Sequence, residues 1–145
     1  MKSRRLDAQG ERTFVLVFDS GDEVIRELTA FAVRERLAAS HFTGIGAFHE
    51  LVVGYFDVKR KEYESVAIPE QVEVLSFAGD ITMDDGKPKV HAHVVVGKRD
   101  ATAHGGHLLA AHVGPTLEVV LHESPVHLRR RFDAVTGVAL IALES

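Results

Sequence analysis

Only one stretch of this sequence has the spacing of a helix, and nearly everything after Gly44 reads as strand. That imbalance constrains the fold more than any single motif. Ser20-Gly21-Asp22-Glu23 matches an S-x-x-E capping box, with Ser20 at the N-cap and Glu23 three residues on. The helix it opens is expected to run to about Ala39. Val24, Leu28, Phe31, Ala32 and Leu37 fall near helical spacing, with charged residues between them. Ahead of it, Thr13 to Asp19 is a β-branched and aromatic run of strand type.

Beyond Gly44 the expected strands are Ile45 to Asp57, Glu62 to Ile68, Val72 to Met83 and Val90 to Gly97. His107 to Val113, Leu117 to Glu123 and Val138 to Leu143 complete the set. Gly46 and Gly54 are candidate bulge or bend points. Asp57 to Lys61 and Asp84 to Pro88 have turn composition, and Lys98 to Gly106 reads as a loop. Such short connections favour antiparallel pairing. The expected class is α+β: about seven to nine mostly antiparallel strands, as a sheet or partial barrel, packed against one main helix. With 145 residues and no repeat or linker, one domain over residues 10–145 is expected, behind a loose start at 1–9.

Composition then narrows the function. No cysteine is present, which excludes disulfides, thiolate zinc ribbons and cysteine nucleophiles and fits a reducing cytoplasm. The net charge of −4 is opposite to the basic excess of a dedicated nucleic-acid binder. Aromatics make up 7% and tryptophan is absent, which argues against a stacking platform for single strands. The first residues are basic but have no apolar run behind them, so no signal peptide is expected. No apolar stretch is long enough for a transmembrane helix. P-loop, dinucleotide and nucleophile-elbow motifs are also missing.

Nine histidines are an excess, and their placement is informative. In Val90-His91-Ala92-His93-Val94-Val95-Val96, the period of two puts His91 and His93 on one face. Val90, Ala92, Val94 and Val96 take the other face, which suits a core. The loop that follows is short enough to bring Gly105-Gly106-His107 alongside. Three neutral imidazoles converging this way suit a divalent metal, Zn²⁺ first, with one position left open to water or substrate. The same histidines also fit a subunit interface or a polar sheet face. His104, Asp100 and His112 are further candidate ligands, and His104 or Glu118 candidate proton carriers near an open site. His112 and His122 also fit ordinary exposed sheet positions, while His41, His49 and His127 have no partner legible in the sequence. Gly105 and Gly106 fit either a tight turn at positive φ or a close backbone approach to a metal or anion.

Two basic runs are candidate phosphate contacts: Lys59-Arg60-Lys61 at a hairpin tip, and Arg129-Arg130-Arg131. Each also fits a solvated edge, and Glu62 and Glu64 partly cancel the first.

Several blocks together resemble the PPC (plant and prokaryote conserved) domain family. They are Gly44-Ile45-Gly46-Ala47, Gly54-Tyr55-Phe56-Asp57 with Lys61 and Tyr63, and Val72 through Asp80. Gly86-Lys87-Pro88 with His91-Ala92-His93, Gly105-Gly106-His107-Leu108 and Thr116 through Leu121 follow in order. The resemblance implies an antiparallel sheet with one main helix, assembled as a homotrimer. In plants the domain follows an AT-hook in nuclear DNA-binding proteins. In bacteria and archaea it stands alone, in chains described as candidate DNA-binding proteins. Bacterial members carry H-x-H and G-G-H histidines, which map onto His91, His93 and His107. This sequence has no AT-hook pattern, and Gln71 stands where plant members have an arginine, so a partner role tied to that arginine is not carried over.

Two functions follow as expectations. One is a standalone PPC-domain homotrimer that associates with DNA in a regulatory role and holds a three-histidine metal site. The other is a metal-dependent enzyme or small-ligand binder that uses His91, His93 and His107. A trimer would carry about −12, three times the chain's −4, which repels a phosphate backbone unless one face is strongly basic. A purely structural trimerisation module is the third reading.

Overall fold

The computed structural model describes residues 1–8, 11–125 and 128–142. Among these, nine strands and one helix follow in the order β1 (Lys2–Ala8), β2 (Glu11–Phe18), α1 (Val24–Glu35), β3 (Ala39–Asp57), β4 (Glu62–Ile68), β5 (Val72–Asp84), β6 (Lys87–Gly97), β7 (Ala103–Glu123), β8 (Arg129–Asp133) and β9 (Val138–Ala142). The expected class is observed. Every pairing is antiparallel except a single parallel bridge between β5 and β8 at Met83 and Arg129. The first residues pair with β2 from Lys2↔Val17 to Ala8↔Glu11.

The helix differs from expectation at both ends. Its N-cap is Glu23, whose carboxylate accepts from the Ile25 and Arg26 amides, and Ser20 lies outside the helix. The reason is the turn before it. Gly21 takes a φ of +90°, and the Asp22 carboxylate accepts from the Asp19 amide, so Ser20 is held away from the first helical turn. Its hydroxyl contacts His49 Nε2 at 3.2 Å instead, which gives His49 a partner. At the other end Arg36 enters the left-handed region, and its amide and that of Leu37 close on Val33 and Ala32 carbonyls. The helix therefore stops at Glu35, short of Ala39.

The expected apolar face does pack inward. Val24, Leu28, Phe31 and Ala32 are fully buried, and the Phe31 ring meets Phe14 edge-on at 5.2 Å. Each of these side chains contributes about 1.5–3 kcal/mol relative to exposure, less for the alanine.

Two strands are far longer than their sequence segments suggested. β3 begins at Ala39, and β7 joins the two segments expected on either side of Gly114-Pro115. Their length allows each to pair with more than one neighbour. β3 pairs with both β5 and β7, and β6 also pairs with both β5 and β7. The four strands thus close a circuit, the partial barrel of the sequence reading. Register shifts at Gly44/Gly46 in the β3–β5 pairing, and at Gly46/Phe48, Phe48/Glu50 and Val52/Val53 in the β3–β7 pairing, mark the irregularities along β3. Gly46 is thus at a bulge, and Gly54 lies just past one.

One buried polar group ties the helix to the sheet. Glu123, 6% exposed at the end of β7, accepts from the amides of Ala38 and Ala39 at 2.9 and 3.3 Å and from the Ser40 hydroxyl. Arg12 lies 3.4 Å from it and also donates to the Glu35 carbonyl. A carboxylate at this point satisfies the orphaned amides where the chain leaves α1 and enters β3.

Candidate metal centre

The β5–β6 hairpin turns through Asp85-Gly86, both at positive φ (47° and 75°), with Asp84 opposite Lys87. An Asp-Gly pair suits this turn because its two central residues need left-handed backbone angles. The turn sets the register, placing Asp80 opposite His91 and Ala78 opposite His93. Ala92, Val94 and Val96 point into the core at 2% exposure or less, so His91 and His93 face away from it.

Circuit closure then brings in the third histidine. β7 starts at Ala103, so the expected loop shrinks to a turn through residues 98–102, and His107 pairs directly opposite His93. One ligand atom from each of His91, His93 and His107 lies within 4.8 Å of the other two. The ring centroids are 5.1–5.3 Å apart. Gly105 is needed here for a reason outside both sequence readings. Its φ is not positive, but a Cβ there would sit 2.5 Å from the Val94 carbonyl oxygen. The glycine lets β7 lie close on β6 just before His107.

Surroundings define the chemistry. His107 Nδ1 is buried and has no hydrogen-bond partner, unlike the other buried side-chain polar atoms among the described residues. A buried polar nitrogen without a partner costs free energy unless something else binds there, so the donor set fits a metal ion. Tyr63 from β4 lies over the His107 ring at 4.8 Å. His91 Nδ1 faces Asp80 Oδ2 at 3.5 Å and Arg130 Nη2 at 3.1 Å. Coordination through His91 Nε2 requires the tautomer that donates from Nδ1 to Asp80, an arrangement that orients and strengthens an imidazole ligand.

Arg130 anchors that carboxylate. Its Nη2 donates to both oxygens of Asp80 at 2.7 and 2.9 Å, its Nε to Thr82 Oγ1 at 2.9 Å and its Nη1 to the Ala139 carbonyl at 2.8 Å. Asp80 feels burial, which raises its pKa, but the His91 and Arg130 hydrogen bonds and charges outweigh it and hold the carboxylate below its ordinary value.

Burial lowers the pKa of His93, and the His91 charge lowers it further. For His107 burial comes first, followed by the charges of His91, His93, Lys89 and Arg130, and together they push it to about 4 from 6.5. Both rings therefore stay neutral and ligand-ready near neutral pH. A consequence is measurable without metal. Between about pH 6.5 and 4 the unfolded chain binds a proton at this position that the folded chain refuses, so acid favours unfolding. The urea midpoint of the metal-free protein is expected to fall through this window, and more steeply than in His107→Gln. Parallel curves for the two proteins would overturn the assignment.

The remaining candidate residues lie apart. His104 is exposed, opposite Val96, and contacts Thr102 Oγ1 at 3.2 Å. Asp100 accepts from the amide and hydroxyl of that same Thr102. Glu118 is in the far half of β7, opposite Val17 and Ile45. His112 approaches Glu50 at 3.3 Å, and His122 contacts Thr13 and stacks on His41 at 5.1 Å. His127 lies outside the described residues.

The basic runs are also partly spent. Arg60 pairs with Asp57 and Glu62 at 3.3 and 3.2 Å and with Glu64. Lys61 reaches across to the Ala134 carbonyl, and the Arg130 side chain is only 8% exposed. Lys59, Arg129 and Arg131 are exposed, Arg131 with an interaction of its own. The sequence offers no role for Asp80 or Thr82, and it fits Arg130 to a solvated edge or a phosphate contact, neither of which matches its buried, Asp80-bound position. The Asp-Gly turn was the signal for Asp80, since it dictates the residue opposite His91. Nothing local points from β8 to β5.

A nine-stranded, mostly antiparallel sheet with one helix is the architecture of a known class of small domains. The chain belongs to the Plants and Prokaryotes Conserved (PCC) domain family, whose model matches residues 5–125. Solved structures agree. A metal-containing protein from Archaeoglobus fulgidus is 36% identical, with 90% of this chain and 93% of that chain covered and a TM-score of 0.84. A plant- and prokaryote-conserved protein from Pyrococcus horikoshii is 29% identical over 92% and 93% of the two chains, with a TM-score of 0.86. A candidate DNA-binding protein from Ralstonia eutropha is 30% identical over 90% and 91%, with a TM-score of 0.85. Comparison with curated proteins gives no significant match. No helix among the described residues is long and apolar enough to cross a membrane.

Proposed function

We propose that the chain is a metal-binding protein that presents a three-histidine centre, with Zn²⁺ as the first candidate ion, to a small ligand or substrate. The observation that carries this reading is the convergence of His91, His93 and His107 within 4.8 Å, with His107 Nδ1 buried and unpartnered. The metal-containing relative at 36% identity supports it. An ion held by three imidazoles supplies a Lewis acid with an open position. The chain's own residues prepare that position. His93 and His107 are kept neutral, Asp80 orients His91, Arg130 holds Asp80, and Tyr63 covers one side of His107.

The chain acts in this reading as one domain that includes β1, in the cytoplasm, where a cysteine-free composition fits. It assembles as a homotrimer. Ile45, Leu75 and Val95 leave 64%, 56% and 42% of their area exposed, an apolar set available to a second copy. A second reading, association of the trimer with DNA, is supported by the description of the Ralstonia relative. Lys59 and Arg129 are its surface candidates, with Arg60, Lys61, Arg130 and Arg131 engaged within the chain.

Native mass spectrometry of zinc-loaded protein, alone and with a short duplex at low salt, tests both readings. The expected result is a trimer with about one ion per chain, as a three-histidine site predicts. A metal-free species after zinc loading would overturn the metal reading. Duplex-bound trimer that dissociates steeply as salt rises would establish the DNA reading, and its absence at low salt would remove it.

A further inference from the structure

The histidine cluster opens onto a cavity of about 520 Å³, within the usual range for a small-molecule site. His91 and His107 line it, while its opposite wall is the β8–β9 hairpin, a segment beyond the residues matched by the family model. This hairpin is held over the site by named contacts. Arg130 reaches Asp80 and Thr82 on β5, and Lys61 from the β3–β4 turn donates to the Ala134 carbonyl at 2.5 Å. The Lys61 stem also packs on Gly137, where a Cβ would meet it at 2.9 Å.

The lining has two kinds of surface. Phe56, Phe132, Val138 and Leu140 form an apolar wall, and Phe132 remains 67% exposed at the cavity. Lys61 and Lys89 supply ammonium groups. Lys89 pairs with Asp84 at 2.8 Å, whereas the hydrogen bond of the Lys61 ammonium is to a neutral carbonyl and no described carboxylate pairs with it. The third cation, Arg130, is already committed to Asp80, so the uncompensated charge of the cavity is positive. An anion with an apolar body satisfies both surfaces. A phosphate site is less well matched, because no helix N-terminus contributes to this lining.

We propose that this cavity binds a small organic acid, with its carboxylate at Lys61 beside His91 and His107 and its apolar body against the β8–β9 hairpin. The inference rests on the small-ligand reading given above and names the ligand class. It also makes the hairpin, rather than the histidines, the part that selects the ligand.

The test uses ¹⁹F NMR of 4-fluorophenylacetate against zinc-loaded full-length protein, with bound metal measured separately by mass spectrometry. Binding is expected, with an affinity about 10-fold higher than for neutral 4-fluorobenzyl alcohol. Lys61→Met, which keeps much of the apolar stem, is expected to weaken binding about 10-fold without changing metal content, and Lys89→Met, whose ammonium is already paired with Asp84, to weaken it less. Phe132→Ala is expected to weaken the acid and the alcohol alike. Equal affinity for acid and alcohol, no effect of Lys61→Met, or no binding to the parent protein would overturn the proposal. Inorganic phosphate competing as well as the aryl acid would also overturn it, because no apolar body would be required. A parent protein without zinc that still binds the acid through its lysines would sink the metal reading and leave the anion cavity standing.

Discussion

His93→Ala is expected to empty the metal site and leave the protein folded. His93 is an exposed side chain on the face of β6 that points away from the core, opposite His107. Its removal opens no cavity, so the change in unfolding free energy should stay within about 0.5 kcal/mol, as for most surface substitutions. The effect on metal is much larger. Losing even an indirect partner of a ligand costs about 10–100-fold in affinity, and loss of a ligand itself should exceed that upper figure. Zinc content after dialysis should drop from about one ion per chain to a small fraction of that. Asp80→Asn, which weakens the orientation of His91, should fall between the variant and the parent. His104→Ala should not differ from the parent, because that ring lies outside the triad. Unchanged zinc content in His93→Ala, measured by elemental analysis, would remove the three-histidine assignment.

Glu123→Ala should produce the largest loss of stability, about 3–5 kcal/mol, in the range for breaking a buried, hydrogen-bonded charge. The carboxylate is 6% exposed and accepts from two amides and a hydroxyl, all within residues 38–40. Alanine would leave those donors buried without acceptors and Arg12 without its carboxylate. The variant should unfold at lower urea with little change in slope, since the same surface is exposed. Glu123→Gln keeps one carbonyl acceptor and should lose less. A Glu123→Ala midpoint equal to the parent's would show that water or rearranged backbone replaces the carboxylate.

How much of this was legible follows from the range over which each determinant acts. Alternation along β6 is local, with a period of two fixed by the backbone, so a shared face for His91 and His93 could be read directly. The Asp85-Gly86 turn acts over four residues and sets the register that puts Asp80 opposite His91. The helix cap failed because S-x-x-E also fits a chain in which Gly21 turns first and Glu23 itself becomes the cap. The strands β3 and β7 were read short because bulges and the Gly114-Pro115 step interrupt the sequence pattern while the pairing continues through them.

The helix face, the alternating core of β6, the turn chemistry and the residue types available for a metal are all set by local sequence. Those depend on propensities and periods that span a few neighbours. Tertiary structure alone decided that the β3–β5–β6–β7 circuit closes, with His93 and His107 in direct register. It also decided that Arg130, from a strand far along the chain, is consumed by Asp80 instead of facing solvent. Such pairings between distant segments are selected by the packing of the whole core, because only there does burial of many apolar groups offset the cost of closing long loops.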